Sequence, residues 1–202
     1  MVKWAVGCGV IVVFVALVLG LAVASGYNGL VALDQAVQAQ WGQVENVYQR
    51  RADLVPNLVE TVKGAAAFEK DTFTAVTEAR SRVGQAASAG PNVPNDPAAF
   101  ARFQQAQDGL SSALSRLMVV VENYPDLKAT ANFRDLQAQL EGTENRIAVE
   151  RMRYNETVKA LNAYIRGFPG SFFAGLAHVQ AAVYYELPQG QAEAPRVDFS
   201  PK

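Results

Sequence analysis

Arg51, Asp53 and Asn57 share the block Arg50-Arg51-Ala52-Asp53-Leu54-Val55-Pro56-Asn57-Leu58-Val59-Glu60-Thr61-Val62-Lys63-Gly64, and Glu144, Asn145 and Arg151 lie together far downstream. These side chains interrupt apolar rows, which makes them the candidates for chemistry. An arginine beside a glutamate, with amides nearby, can form a pocket that binds or transforms a ligand. The same cluster, buried, instead fixes how two helices align, because an unpaired buried charge is heavily penalised while a satisfied pair need not add net stability. Structural ion-pair networks look like sites in a sequence, so the register role is the preferred reading. On that reading, removing Glu144 alone costs about 3–5 kcal/mol.

A single histidine, His178, and a single cysteine, Cys8, narrow the alternatives. Without Glu-x-x-His pairs the chain lacks the ligands of a di-iron bundle, and one thiol makes neither an internal disulfide nor a thiolate metal cluster. A Ser-His-Asp arrangement has little support; a Ser-Lys pair stays open, although no local motif points to one. No catalytic, cofactor or metal residue is assigned. His178 reads as a packing or surface residue. The net charge of −1 does not suggest a nucleic-acid partner, whose binding normally calls for a basic face.

The elements that must position the cluster are helices. Trp4 to Ala24 is a run of 21 uncharged residues, and the next charge after Lys3 is Asp34. About 20 apolar residues cross the hydrocarbon core. The run is longer than the apolar region of a signal peptide, although Ala22-Val23-Ala24 supplies a small-x-small pattern; a retained anchor is preferred over a cleaved leader. Lys3 precedes the span and Arg50 is the first basic residue after it, so the positive-inside rule puts the N-terminus in the cytoplasm and the rest outside. Ala16, Gly20 and Ala24 step by four and would let two membrane helices approach, although small residues are also ordinary in such a span.

Leu30, Leu33, Val37, Trp41, Val44, Tyr48, Val55, Leu58 and Val62 continue at close to the helical period, so the first soluble helix is expected to continue the membrane helix. Pro56 removes an amide donor and should bend it, at a cost of about 3 kcal/mol that tertiary packing must offset. A second helix is expected from Glu69 to Ala87, with Phe73, Val76 and Val83 inward. After a proline- and glycine-rich loop, Asn95 or Asp96 can cap a third, with Pro97 in its first turn. That helix carries Phe100, Phe103, Leu110, Leu114, Leu117, Val121 and Tyr124 and stops before Pro125. Asn132 is expected to cap the fourth, where Phe133, Leu140, Ile147, Tyr154, Leu161 and Phe168 recur every seven residues, the seam of a coiled coil or antiparallel bundle.

The block from Arg50 to Gly64 resembles the signature of the LemA family. Thr143-Glu144-Asn145-Arg146-Ile147-Ala148, the segment Asn132 to Leu140 and Tyr27-Asn28 also match its pattern. The resemblance covers most of Tyr27 to Pro169. It implies a membrane-anchored four-helix bundle in a bacterium, without an established biochemical activity. One branch of that family takes part in building magnetosome membranes, which fits a membrane-organising role.

The expected architecture is all-α: a transmembrane anchor over 1–26, an antiparallel up-and-down four-helix bundle over 27–187, and a disordered tail over 188–202. If Leu30 lies level with Phe168, Arg51 is 21 residues further on, about 32 Å at 1.5 Å per residue. Counting 21 back from Phe168 reaches Ile147, between Glu144 and Arg151. Arg51 is therefore expected to pair with Glu144, with Asp53, Asn57 and Asn145 satisfying the remaining groups. At the far end, Phe168, Phe172, Phe173 and Leu176 either enter the membrane interface or fold back over the bundle end, the latter being preferred. Tyr184 and Tyr185 offer a second aromatic patch. The function expected is a non-enzymatic membrane scaffold at the cell envelope. Membrane lipid, a second copy and an unidentified membrane or envelope protein are its expected partners. The alternatives are an accessory factor in membrane protein quality control and, less favoured, a hydrolase.

Overall fold

A computed structural model describes residues 2–64, 69–87, 90 and 93–186, with side chains described at Ile11 and from Val13 onward. The expected 188–202 tail, Leu187 and the side chain of Cys8 lie outside what is described. Every regular element is helical and no strand occurs among the described residues. The helices are α1 (Val2–Lys63), α2 (Lys70–Ala87), α3 (Pro97–Val121), the short α4 (Pro125–Lys128), α5 (Ala131–Arg166) and α6 (Gly170–Ala177), with a 3-10 turn at Val93–Asn95.

α1 is one helix of 62 residues. Its apolar first part stays exposed, with Val13 and Phe14 each 67% accessible, whereas from Leu30 the stripe is buried. The helix runs through Pro56, which sits on its exposed face. Proline has no amide to donate to the carbonyl four residues back, and that carbonyl, on Ala52, instead accepts a 3.0 Å bond from Arg80 Nε of α2. A neighbouring helix thus supplies the donor that Pro56 lacks.

Asp96 caps α3, accepting from the Ala98 and Ala99 amides, with Pro97 in the first turn. The cap expected for the fourth helix is corrected: Thr130, not Asn132, accepts from the Phe133 amide, because α4 ends at Lys128 and α5 already begins at Ala131. Pro125 begins α4 rather than only ending α3, consistent with its fixed φ suiting a first helical position. The seven-residue seam holds from Phe133 to Leu161, although Leu140 is only half-buried. Phe168 leaves it and is 91% exposed, because α5 ends at Arg166; the Phe168–Pro169 bond is cis.

α5 lies along α1 and α2 along α3. Gly26, Gln40 and Arg51 of α1 bond Tyr164, Glu150 and Arg51's partner Glu144 of α5, so one numbering rises as the other falls. The core has two parts. Near the apolar end, Leu30 to Tyr48 pack with Phe100, Phe103, Ile147, Tyr154, Leu161, Ala182 and Tyr185. Beyond Arg51, Ala52 to Val62 pack with the inner face of α2, with Leu110 to Val121 and with Phe133.

Candidate functional site

Between those two cores lies a polar layer. Arg51 is 1% exposed. Its Nη1 donates to Glu144 Oε1 and Ser111 Oγ, each at 2.8 Å, and its Nη2 donates to Gln107 Oε1 at 2.6 Å and the Gln107 carbonyl at 3.2 Å. Three helices therefore meet at one guanidinium: α1 supplies the charge, α5 the carboxylate and α3 the neutral acceptors. Glu144 is exposed, its side chain 46% accessible. Arg51 Nε and Gln107 Nε2 are buried without a hydrogen-bond partner among the described residues.

Asp53, Asn57 and Asn145 stand away from Arg51. All three are exposed; Asp53 accepts from Gln49 Nε2 at 2.7 Å, and the Asn57 carbonyl accepts from Thr61. Helical geometry explains the correction, because each residue turns about 100° and positions two and six beyond Arg51 point to the opposite side. Arg151 joins a different group. It donates to the Tyr48 hydroxyl through Nε at 2.6 Å and also through Nη2, and its guanidinium lies 4.8 Å from the Tyr185 ring centroid. Arg51 lies 5.0 Å from the Tyr48 ring centroid, so Tyr48 links the two arginines. Gln107 and Ser111 were not among the sequence candidates. A signal existed for Gln107, which occupies an apolar seam position between Phe103 and Leu110; Ser111 had none.

The chemistry available here is recognition of charge rather than activation of a nucleophile. Ser111 Oγ donates to the Gln107 carbonyl at 3.2 Å, an acceptor that cannot take its proton. Burial pushes the Tyr48 phenol above its ordinary range, with Arg151 and Arg51 opposing. Burial likewise raises Tyr154 and Tyr185. These phenols keep their protons at neutral pH. No group of three metal-ligating side chains occurs among the described residues. His178 is exposed and ends α6 in a left-handed conformation, φ 55°.

A second arrangement escaped the sequence reading. After α6 the non-helical arm 179–186 returns along α5. Asn162 donates to the Ala182 carbonyl (2.9 Å) and accepts from its amide (3.0 Å). Asn155 does the same for Tyr185, at 3.0 and 2.8 Å. Seven helical residues rise about 10 Å, the reach of three residues of extended chain, so the two amides match the arm's spacing. The Tyr154 hydroxyl donates to the Val183 carbonyl, and the Val183 amide to Pro94. Tyr185 is buried among Trp41, Phe100 and Tyr154, while Tyr184 is 39% exposed. Met152, Lys159 and Tyr184 border an open groove of about 700 Å³ beside the arm.

α6 divides the aromatic end. Phe173 is buried against Gly26 of α1, where any side chain would overlap its ring; Phe168, Phe172 and Leu176 remain 91%, 64% and 63% exposed. Folding back is thus true of Phe173 but not of the other three. Ala16, Gly20 and Ala24 lie on the exposed apolar part of α1, and among the described residues nothing packs within 4 Å of a side chain at Gly20.

Fold and site together define an all-helical protein whose long first helix is apolar enough to cross a membrane and whose polar residues tie helices to one another. Residues 40–199 match the LemA family, and the chain belongs to it. Magnetosome protein MamQ 2 of Paramagnetospirillum magneticum is 28% identical over 180 residues, which cover 81% of this chain and 66% of that protein. Magnetosome protein MamQ of Magnetospirillum gryphiswaldense is 27% identical over the same length and the same shares. The chain therefore spans slightly less than two thirds of these relatives.

Proposed function

We propose that this protein is a non-enzymatic scaffold, anchored by a single N-terminal span, that presents a rigid helical body at the bacterial cell membrane for self-association or partner binding. The observation that carries the reading is α1: the exposed apolar cylinder and the buried stripe belong to one unbroken helix. A body so joined cannot swing freely about its anchor. We read the body as an antiparallel up-and-down bundle. In its distal half α1, α2, α3 and α5 all contribute buried side chains; in the half nearer the anchor the arm stands where α2 is absent from the core. The Arg51 layer sits at their junction and is read as the device that sets register, since its bonds join helices rather than line a cleft. The magnetosome names of the relatives favour a membrane-organising role. The asymmetry between Lys3 and the distant Arg50 favours an N-terminus in the cytoplasm and a body outside.

Purification of the full chain in polymer-excised membrane tests the scaffold. Oligomers of the chain alone that shrink in Gly20→Ile support it. A stoichiometric protease or transporter would move the protein to the quality-control role, and a solitary monomer would remove self-association. Thiol labelling of a cysteine introduced at exposed Val119, in a Cys8→Ser background, reports which side holds the body.

A further inference from the structure

We infer that α6 and the turn before it form a second membrane contact: Phe168 of the turn and Phe172 and Leu176 of α6 seat in the lipid headgroup layer of the bilayer that α1 crosses. This rests on the reading of α1 as a span, and α6's position follows from its contacts with that helix. The Phe173 ring lies against Gly26, and the Tyr164 hydroxyl donates to the Gly26 carbonyl at 2.6 Å, so α6 is held level with residue 26. Gly26 comes two residues after Ala24, where the strongly apolar stretch gives way to Ser25, Gly26, Tyr27 and Asn28, a rise of about 3 Å. Headgroup layers extend roughly 5–7 Å beyond the hydrocarbon on each side. α6 therefore falls within that layer.

Its chemistry suits the place. Phe172 and Leu176 are four residues apart, on one face of the helix, and both stay exposed, as do the apolar side chains of α1 from Val13 to Val23. From Gly167 to Tyr185 there is no acidic residue, and Arg166, exposed at the end of α5, can meet lipid phosphate. Phe173, on the other face, ties α6 to α1. A short helix fastened to the span on one side and exposing large apolar groups on the other has a lipid surface as its natural occupant. Two contacts would then fix the tilt of the body, which one helix leaves free.

The test uses the full chain, Cys8→Ser, reconstituted at one copy per nanodisc of mixed zwitterionic and anionic lipid. Nitroxide labels are placed singly at Val18, Phe172 and Val119, each exposed. Accessibility to oxygen and to a water-soluble nickel chelate reads depth. The inference expects Val18 deep in the hydrocarbon, Phe172 shallow but shielded from the chelate, and Val119 fully aqueous. A deep Val18 with Phe172 as aqueous as Val119 would overturn it and leave the anchor intact. An aqueous Val18 would overturn the anchor and the inference with it. In discs holding two copies, shielding at Phe172 that appears only there, with spin–spin broadening, would assign the patch to a second copy instead. As a second measurement, Phe172→Ser/Leu176→Ser should leave the helical signal unchanged and accelerate hydrogen exchange of the α6 amides in discs; unchanged exchange would count against the contact.

Discussion

Glu144→Ala should cost less than an isolated buried ion pair would suggest, and the structure says why. Breaking a fully buried pair costs about 3–5 kcal/mol, because the surviving charge is stranded. Arg51 is not stranded when Glu144 goes: Ser111 Oγ, Gln107 Oε1 and the Gln107 carbonyl still accept its protons. Glu144 itself is 46% exposed, so water already screens the pair; pairs at the surface are worth only about 0–1 kcal/mol. A hydrogen bond to a charged group adds about 1.5–3 kcal/mol when buried. Between these limits, Glu144→Ala should destabilise by about 1–2 kcal/mol. Arg51→Ala is different. It empties a site of 1% exposure beneath Tyr48 and leaves both polar ends of Gln107 buried, and should cost about 3–5 kcal/mol. Guanidinium unfolding of the full chain in detergent, followed by Trp41 fluorescence and far-ultraviolet dichroism, measures both, and the double variant gives their coupling. Equal losses of more than 3 kcal/mol would mean that Glu144 alone compensates the charge. A loss under 1 kcal/mol for Arg51→Ala would dismiss the layer as a structural device, and wild-type melting with abolished biological activity in Glu144→Ala would turn it into a site.

Three further outcomes follow from particular contacts. Pro56→Ala restores the amide that the Ala52 carbonyl lacks, so it should stabilise by about 1–3 kcal/mol and reduce the effect of removing Arg80, which donates to that carbonyl, by Arg80→Ala; strictly additive effects in the double variant would sever the link. Asn162→Ala removes both bonds to Ala182, at about 1–3 kcal/mol, and should speed proteolysis of the 179–186 arm before the helices melt; an arm as resistant as wild type would refute its anchoring role. Glu45 and Asp34 are raised above their ordinary values by burial. A carboxyl whose folded-state pKa is raised binds its proton more tightly when folded, so stability falls as pH rises from the ordinary value toward the raised one. Glu45→Gln should therefore raise the melting temperature at pH 7 more than at pH 4, and the opposite ordering would contradict the burial.

The helices were legible because their signal is local. Three- and four-residue spacing marks a buried stripe wherever the chain goes, and the uncharged run from Trp4 to Ala24 declares itself by length. The Arg51–Glu144 pairing was legible at longer range because a straight helix converts residue number into height, so two opposed helices can be aligned by counting. Counting gives height but not direction around the axis of a third helix. Gln107 and Ser111 therefore entered unannounced, and Asp53 and Asn57 were placed on the wrong side of α1.

The return of the arm along α5 had even less local trace. Asn155 and Asn162 look like ordinary polar residues of a helix; only the fold brings the Tyr185 and Ala182 backbone against them. Composition marks Phe168, Phe172, Phe173 and Leu176 as one apolar segment, yet the end of α5 at Arg166 and the contact at Gly26 bury a single one of the phenylalanines. Periodicity in a chain reports which residues share a face. Whether that face meets protein or remains free depends on what returns to cover it, and that is a property of three dimensions alone.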